Sequence, residues 1–256
     1  MMRRFFALGH LRVAVIVLFL FLSPVQSSVV VAKDLVVGVE KLTYFPHYSY
    51  DDEFGHRGVY KEILNVFGQR YNYQFQYIAL PIERLYLSLF DGAIDLKYPD
   101  NAEWKADIKR GHTISYSKPV VTYVDGVMVL PENIGKGIEH VHSLGVPLGF
   151  TPVGYQELIK QDKLLLTTTN SFGSLLQLVM MGRLDGAYIN IAVGKYQLQT
   201  QFAKPKALVF DDSLPHVSDG YRLSTLSYPK VIEQFNQFLV DERQLIEQLK
   251  ERFGVH

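Results

Sequence analysis

The 256-residue sequence contains no cysteine, and that absence removes several chemistries at once. No disulfide framework staples the fold, no thiolate acts as a nucleophile, and no cysteine is available for acylation at a lipoprotein-type cleavage site. An excess of either charge is lacking too, because 26 Lys and Arg balance 26 Asp and Glu. Without a basic stripe to neutralise a run of phosphates, nucleic acid is not an expected partner. After the N-terminal region there is no further apolar run of spanning length. Also missing are a Gly-x-Ser-x-Gly elbow, a His-Glu-x-x-His helix and a Gly-rich strand-to-helix turn ending in Lys-Ser/Thr. An enzyme, a cofactor and a metal are therefore not expected. His140 and His142 have a spacing that would suit a metal but no third ligand nearby, so they read as surface histidines.

What is present begins with a targeting pattern. Arg3, Arg4 and Arg12 precede the apolar run Val13 to Leu22, which gives way to Ser23-Pro24-Val25-Gln26-Ser27-Ser28. The run is about half the roughly 20 residues needed to span a bilayer. This order predicts a secretory signal over residues 1–27, cleaved after Ser27. A cut after Ala32 and a retained anchor are the alternatives. Cleavage removes three arginines and no acid, so the mature chain is mildly acidic. A periplasmic protein, monomeric and free in solution, is expected.

From Asp34 onward, strand-like and helix-like segments alternate. "DLVVGVE" reads as a β-branched strand, and Gly58 to Tyr71 carries Val59, Ile63, Val66 and Phe67 at helical spacing. "YNYQFQYIA" alternates like a strand, and Pro81 sits where a helix begins. A second series follows: "VPLGF", a helix after Pro152, "KLLLTTT", a helix over 171–181 and a strand over 185–189. The two series align as a repeat. Gly92-Ala-Ile-Asp95 matches Gly182-Arg-Leu-Asp185, Leu85 matches Leu175, Leu89 matches Val179, and Tyr98 matches Tyr188. Each copy is an apolar helix, a glycine that ends it, two residues, an aspartate and a strand. Asp95 and Asp185 are assigned to turn structure. Extended stretches over 120–130 and 208–226 read as two crossings between the halves, and an amphipathic C-terminal helix spans 229–253. Two β/α units joined in this way place a cleft at the carboxyl ends of their strands.

In this order the chain resembles extracellular solute-binding proteins of family 3, the amino-acid-binding type of periplasmic binding protein. The resemblance rests on "TYFPHYSY" after the first strand, the Gly58-x-x-x-Glu62 helix start, the two Gly-x-x-Asp turns and "YSKP" at Tyr116 to Pro119. It implies an α/β, type II two-lobed fold, each lobe a mainly parallel sheet flanked by helices, with two hinge crossings. Lobe 1 would comprise residues 33–127 and 208–256, and lobe 2 residues 128–207. It further implies a clamp that closes on a small solute for an ABC permease. A membrane sensor without transport, or a cyclohexadienyl-dehydratase-like enzyme using Glu62 or Glu83, are the alternatives.

The candidate ligand-binding residues follow. Tyr44 and Tyr48 offer stacking faces with a polar handle, or else cover a lobe edge. Arg84, in the first turn of the helix after Pro81, is either an anion ligand or a solvated arginine. Tyr98 and Asn101 lie in or beside the loop after a strand's carboxyl end, together with Lys97, Asp100 and Trp104. Arg110 stands where the family resemblance places a carboxylate-binding arginine. Thr151-Pro152-Val153-Gly154-Tyr155 reads as a capped helix start with free N–H groups at Gly154 and Tyr155, suited to an anion. In amino-acid-binding members an acidic residue meets the solute's ammonium at the position of Asn190, and an amide cannot supply that charge. A solute carrying a carboxylate, with no obligatory ammonium, is expected from this set.

Overall fold

In the computed structural model, which describes residues 32–51 and 55–255, the first half folds largely in the expected alternation. It runs β1 (Lys33–Glu40), β2 (Thr43–Tyr44), β3 (Tyr48–Asp51), β4 (Gly55–Arg57), α1 (Val59–Tyr71), β5 (Tyr73–Leu80), α2 (Ile82–Phe90) and β6 (Leu96–Asp100). Then come α3 (Ala106–Lys109), β7 (Ser115–Tyr116) and β8 (Val121–Val129). The second half runs β9 (Ser143–Pro147), α4 (Gln156–Lys160), β10 (Leu165–Thr169), α5 (Phe172–Met180), β11 (Gly186–Asn190) and α6 (Ile191–Thr200). The chain returns through β12 (Val209–Phe210) and β13 (Val217–Thr225) to α7 (Pro229–Asp241) and α8 (Arg243–Phe253). The expected signal, residues 1–27, lies outside the described residues. Among those residues no helix is long and apolar enough to cross a membrane.

The strands form one path in the order β10-β9-β11-β8-β13-β6-β1-β5. At one end β6, β1 and β5 are parallel, and at the other β10, β9 and β11 are parallel. Between them β8 and β13 pair antiparallel with each other and with their flanking strands. The two extended crossings are thus paired strands at the middle of the sheet.

The sequence repeat is a structural repeat. Gly92 and Gly182 both turn the chain at positive φ, +73° and +65°, where a side chain is strained. Asp95 then accepts the Val36 N–H at 2.7 Å and donates its own N–H to Val36 O at 2.9 Å. Asp185 does the same one copy later, accepting from His142 N and Ser143 N at 2.9 and 2.8 Å and donating to Ser143 O at 3.1 Å. Each carboxylate therefore staples the turn to the neighbouring strand. Above the staple, the copy's leucine and turn residue press on a glycine of that strand. A Cβ on Gly38 would lie 2.4 Å from Ile94 Cδ1 and 2.8 Å from Leu85 Cδ2, and one on Gly145 would lie 2.2 Å from Leu175 and 2.8 Å from Leu184. Helix and sheet approach closely because the strand residue has no side chain.

Two elements depart from expectation. The C-terminal helix breaks at Glu242, so that α7 can lay Phe235 and Phe238 against Phe67 of α1, with ring centroids 5.0 and 5.4 Å apart. Burying such a side chain contributes about 1.5–3 kcal/mol. The helix expected after Pro152 begins only at Gln156.

Candidate functional site

The carboxyl ends of β1, β6, β9 and β11 open onto a cleft of ≈ 470 Å³. One wall comes from Glu40 at the end of β1, Tyr44 and Tyr48 of β2 and β3, and Ile82 and Tyr86 of α2. The loop after β6 adds Asn101, Glu103, Trp104 and Lys105. The opposite wall is Gly149, Phe150, Thr151, Val153 and Gln156, with Tyr188 from β11. The floor is built by the crossing strands: Tyr123 and Asp125 of β8, and Val217, Asp219 and Tyr221 of β13. These five sit two residues apart along their strands, as one face of a pleated sheet requires.

Two features dominate this lining. The first is aromatic: Tyr44 stacks on Tyr48 at 4.8 Å and Tyr123 on Tyr221 at 4.5 Å, while Trp104 meets both Tyr123 and Tyr221 at 5.9 Å. The second is acidic, with Glu40, Glu103, Asp125 and Asp219 facing one cation, Lys105. Asp219 is committed to Arg222 at 3.0 Å and accepts from Asn101 Nδ2 at 2.5 Å. Partial burial pushes its carboxyl up, but hydrogen bonds from Asn101, the Gly220 N–H and Arg222 outweigh this and hold it below the usual range. Glu40 is raised by burial, an effect opposed by the positive charge of Lys97 and by a hydrogen bond from the Tyr48 hydroxyl. Asp125 keeps part of its surface open to the cleft, yet burial lifts its carboxyl to about 7 against a hydrogen bond from Asn190.

Behind the first wall lies a closed ionic set. Asp100 is fully buried and accepts from Lys109 Nζ at 2.9 Å, Tyr86 OH at 3.0 Å and Ser224 Oγ at 2.6 Å, with Lys97 Nζ at 3.8 Å. Burial alone would raise Asp100, but the two lysines and the serine override it and hold it below the usual carboxylate range. Lys97 is itself buried, and its ammonium donates to Pro99 O. None of these charges is left for a solute.

Of the residues singled out in the sequence, Tyr44, Tyr48 and Asn101 line the cleft, as do Trp104, Thr151 and Val153. The others stand elsewhere. Arg84 and Arg110 are exposed and outside the lining, Arg84 because the buried face of α2 is Leu85, Tyr86 and Leu89. Tyr98 is buried behind the wall, stacked on Tyr60 at 5.4 Å. Gly154 and Tyr155, expected to offer free N–H groups to an anion, lie outside the lining and have partners for them. Gly154 N–H donates to Gln156 Oε1 at 3.0 Å, Tyr155 N–H to Pro152 O at 3.4 Å, and the Tyr155 hydroxyl to Pro215 O at 3.1 Å. Asn190 is fully buried beneath the floor, where its Oδ1 caps α6 by accepting Val193 N–H at 3.2 Å. Glu62 and Glu83, the acids considered for an enzyme, lie outside the lining, ion-paired with Arg252 at 3.6 Å and Lys105 at 3.8 Å. His140 and His142 are exposed.

Glu40 and Asp125 were missed, and the period-2 pattern of "TYVDG" and "VSDGY" was the signal that would have found Asp125.

No protein-family model and no curated protein matches the sequence. Solved structures do match. A histidine kinase sensor domain with similarity to periplasmic binding proteins superposes with a TM-score of 0.69 at 16% identity, over 88% of this chain and 97% of that one. An ancestral arginine-binding protein bound to arginine gives 0.67 at 17% identity, over 86% and 97%. An arginine 3rd transport system periplasmic binding protein from Legionella pneumophila gives 0.67 at 15%, over 87% and 100%. The chain has the two-lobed α/β fold of the periplasmic amino-acid-binding proteins.

Proposed function

We propose that this chain is an extracytoplasmic solute-binding protein whose cleft holds a small organic cation, such as a cationic amino acid or the amine derived from it. Residues 33–127 and 208–256 form one lobe of the clamp and residues 128–207 the other. The observation that carries the reading is the pairing of aromatic faces with an acidic lining: an ammonium or guanidinium over a tyrosine or tryptophan gains about 0.5–2 kcal/mol, more as water is excluded. Lys105 is the only cation that a solute carboxylate would meet among the described lining residues. The carboxylate-bearing solute expected from the sequence is therefore disfavoured unless it also carries a cation. Two of the superposing structures are arginine-binding or arginine-transport proteins by name, in keeping with this chemistry. Delivery to an ABC permease is the favoured role, and the kinase sensor domain among the neighbours keeps sensing as the second.

Thermal shift at pH 8 tests the reading with L-arginine, agmatine and tetramethylammonium against succinate and glutarate. A ligand at about 100 times its Kd adds about 2.7 kcal/mol of stability. The cations are expected to raise Tm, and a rise with the anions only would overturn the proposal.

A further inference from the structure

Resting on the cationic reading of the cleft, we propose that Asp125 is the counter-ion for the solute's positive group, with Asn190 and His47 as the residues that hold it in place. The four lining carboxylates differ in what already neutralises them. Asp219 has Arg222, Glu40 shares the field of Lys97, and Glu103 is exposed at the rim. Asp125 has no ion pair among the described residues; its hydrogen bond comes from a neutral amide, Asn190 Nδ2, at 3.2 Å.

That amide is locked from behind. Asn190 Oδ1 accepts the α6 N–H of Val193 and faces His47 Nε2 at 3.1 Å, so its NH2 group is turned toward Asp125 and toward Tyr221 OH at 3.3 Å. His47 is buried, and burial drops its pKa to about 4, so it is neutral and donates from Nε2. The register explains the arrangement: Asn190 of β11 and Asp125 of β8 are directly opposed across the sheet. The acid that the sequence lacks at position 190 is supplied one strand over. The groups facing Asp125 are Glu40 from β1, Tyr44 and Tyr48 from β2 and β3, Tyr188 from β11 and Tyr221 from β13, with Tyr123 on its own strand. Burial pushes all five tyrosines upward, so none ionises near neutrality. Cation binding near pH 7 therefore expels the proton from the protonated fraction of Asp125, leaving the carboxylate opposite the bound charge.

Calorimetry with agmatine and tetramethylammonium tests this on wild type, Asp125→Asn, Glu40→Gln and the remote control Glu62→Gln. At pH 8, Asp125→Asn is expected to weaken both cations at least tenfold, while Glu62→Gln is unchanged. In buffers of different ionisation enthalpy at pH 7, wild type releases about half a proton on binding, because a group titrating near 7 is half protonated there. Glu40→Gln releases less, since the Glu40 charge helps raise Asp125, and Asp125→Asn releases none. The wild-type proton count stands even where a variant folds poorly. Retained affinity in folded Asp125→Asn, or no proton release by wild type, overturns the counter-ion role and leaves the cationic reading intact. Failure of wild type to bind either cation overturns both.

Discussion

The two copies of the α/β repeat share their scaffold and differ where their strands end. In both, a leucine and a turn residue close on a strand glycine, and an aspartate staples the turn. Five residues past that aspartate the copies diverge: the first places Asp100 and the second Asn190, both fully buried. Asp100 is neutralised by two lysines inside its own half. Asn190 carries no charge and braces a carboxylate on a crossing strand. The repeat therefore keeps the frame while the strand ends take up different chemistry, a neutralised charge in one copy and an uncharged brace for a cleft carboxylate in the other.

The largest break in this comparison is Lys97→Met. It leaves the Asp100 and Glu40 charges under-compensated, and losing one partner of a buried ionic set costs about 3–5 kcal/mol. Urea unfolding at pH 7 measures it, and a cost near zero would mean that the set is not closed. Next come Leu85→Ala and Leu175→Ala, each expected to lose about 2–5 kcal/mol. Gly38→Ala and Gly145→Ala overpack by about 1–3 kcal/mol each. Combining the two changes within a copy costs less than their sum, and the coupling is larger in the second copy, where the leucine rather than the turn residue lies nearer the glycine.

The smallest effect has the opposite sign. Because the folded pKa of Asp125 is raised to about 7, its protonated form stabilises the empty protein below the ordinary carboxylate range, and that stability is lost as pH rises through about 7. Asp125→Asn should then raise the Tm of the empty protein at pH 8 and flatten its decline between pH 5 and 8. Partial exposure limits this to the order of 1 kcal/mol. A lower Tm for Asp125→Asn would contradict the burial argument.

Much of the frame was legible because it is local. Glycine at a helix end, an aspartate three residues on and apolar spacing in the helix each act within one turn. The β2–β4 sheet was not anticipated, its strands being only two to four residues long. The site was less legible because it is made by strands distant in sequence. Asp125 and Asp219 belong to segments read as connections, and only the β8–β13 pairing brings them to one floor. Arg84 and Arg110 suggested an anion because charge is visible in a sequence and facing is not. Asn190 was identified as unusual, yet its meaning depends on the residue across the sheet.

Trp104 gives the cleft an optical consequence. It is the single tryptophan of the sequence, it lines the cleft, and it stands 5.9 Å from Tyr123 and Tyr221. Excited at wavelengths beyond tyrosine absorption, the whole chain emits from this one indole. A solute entering the cleft changes the polarity and quenching around it, so the native protein carries its own fluorescent reporter of occupancy.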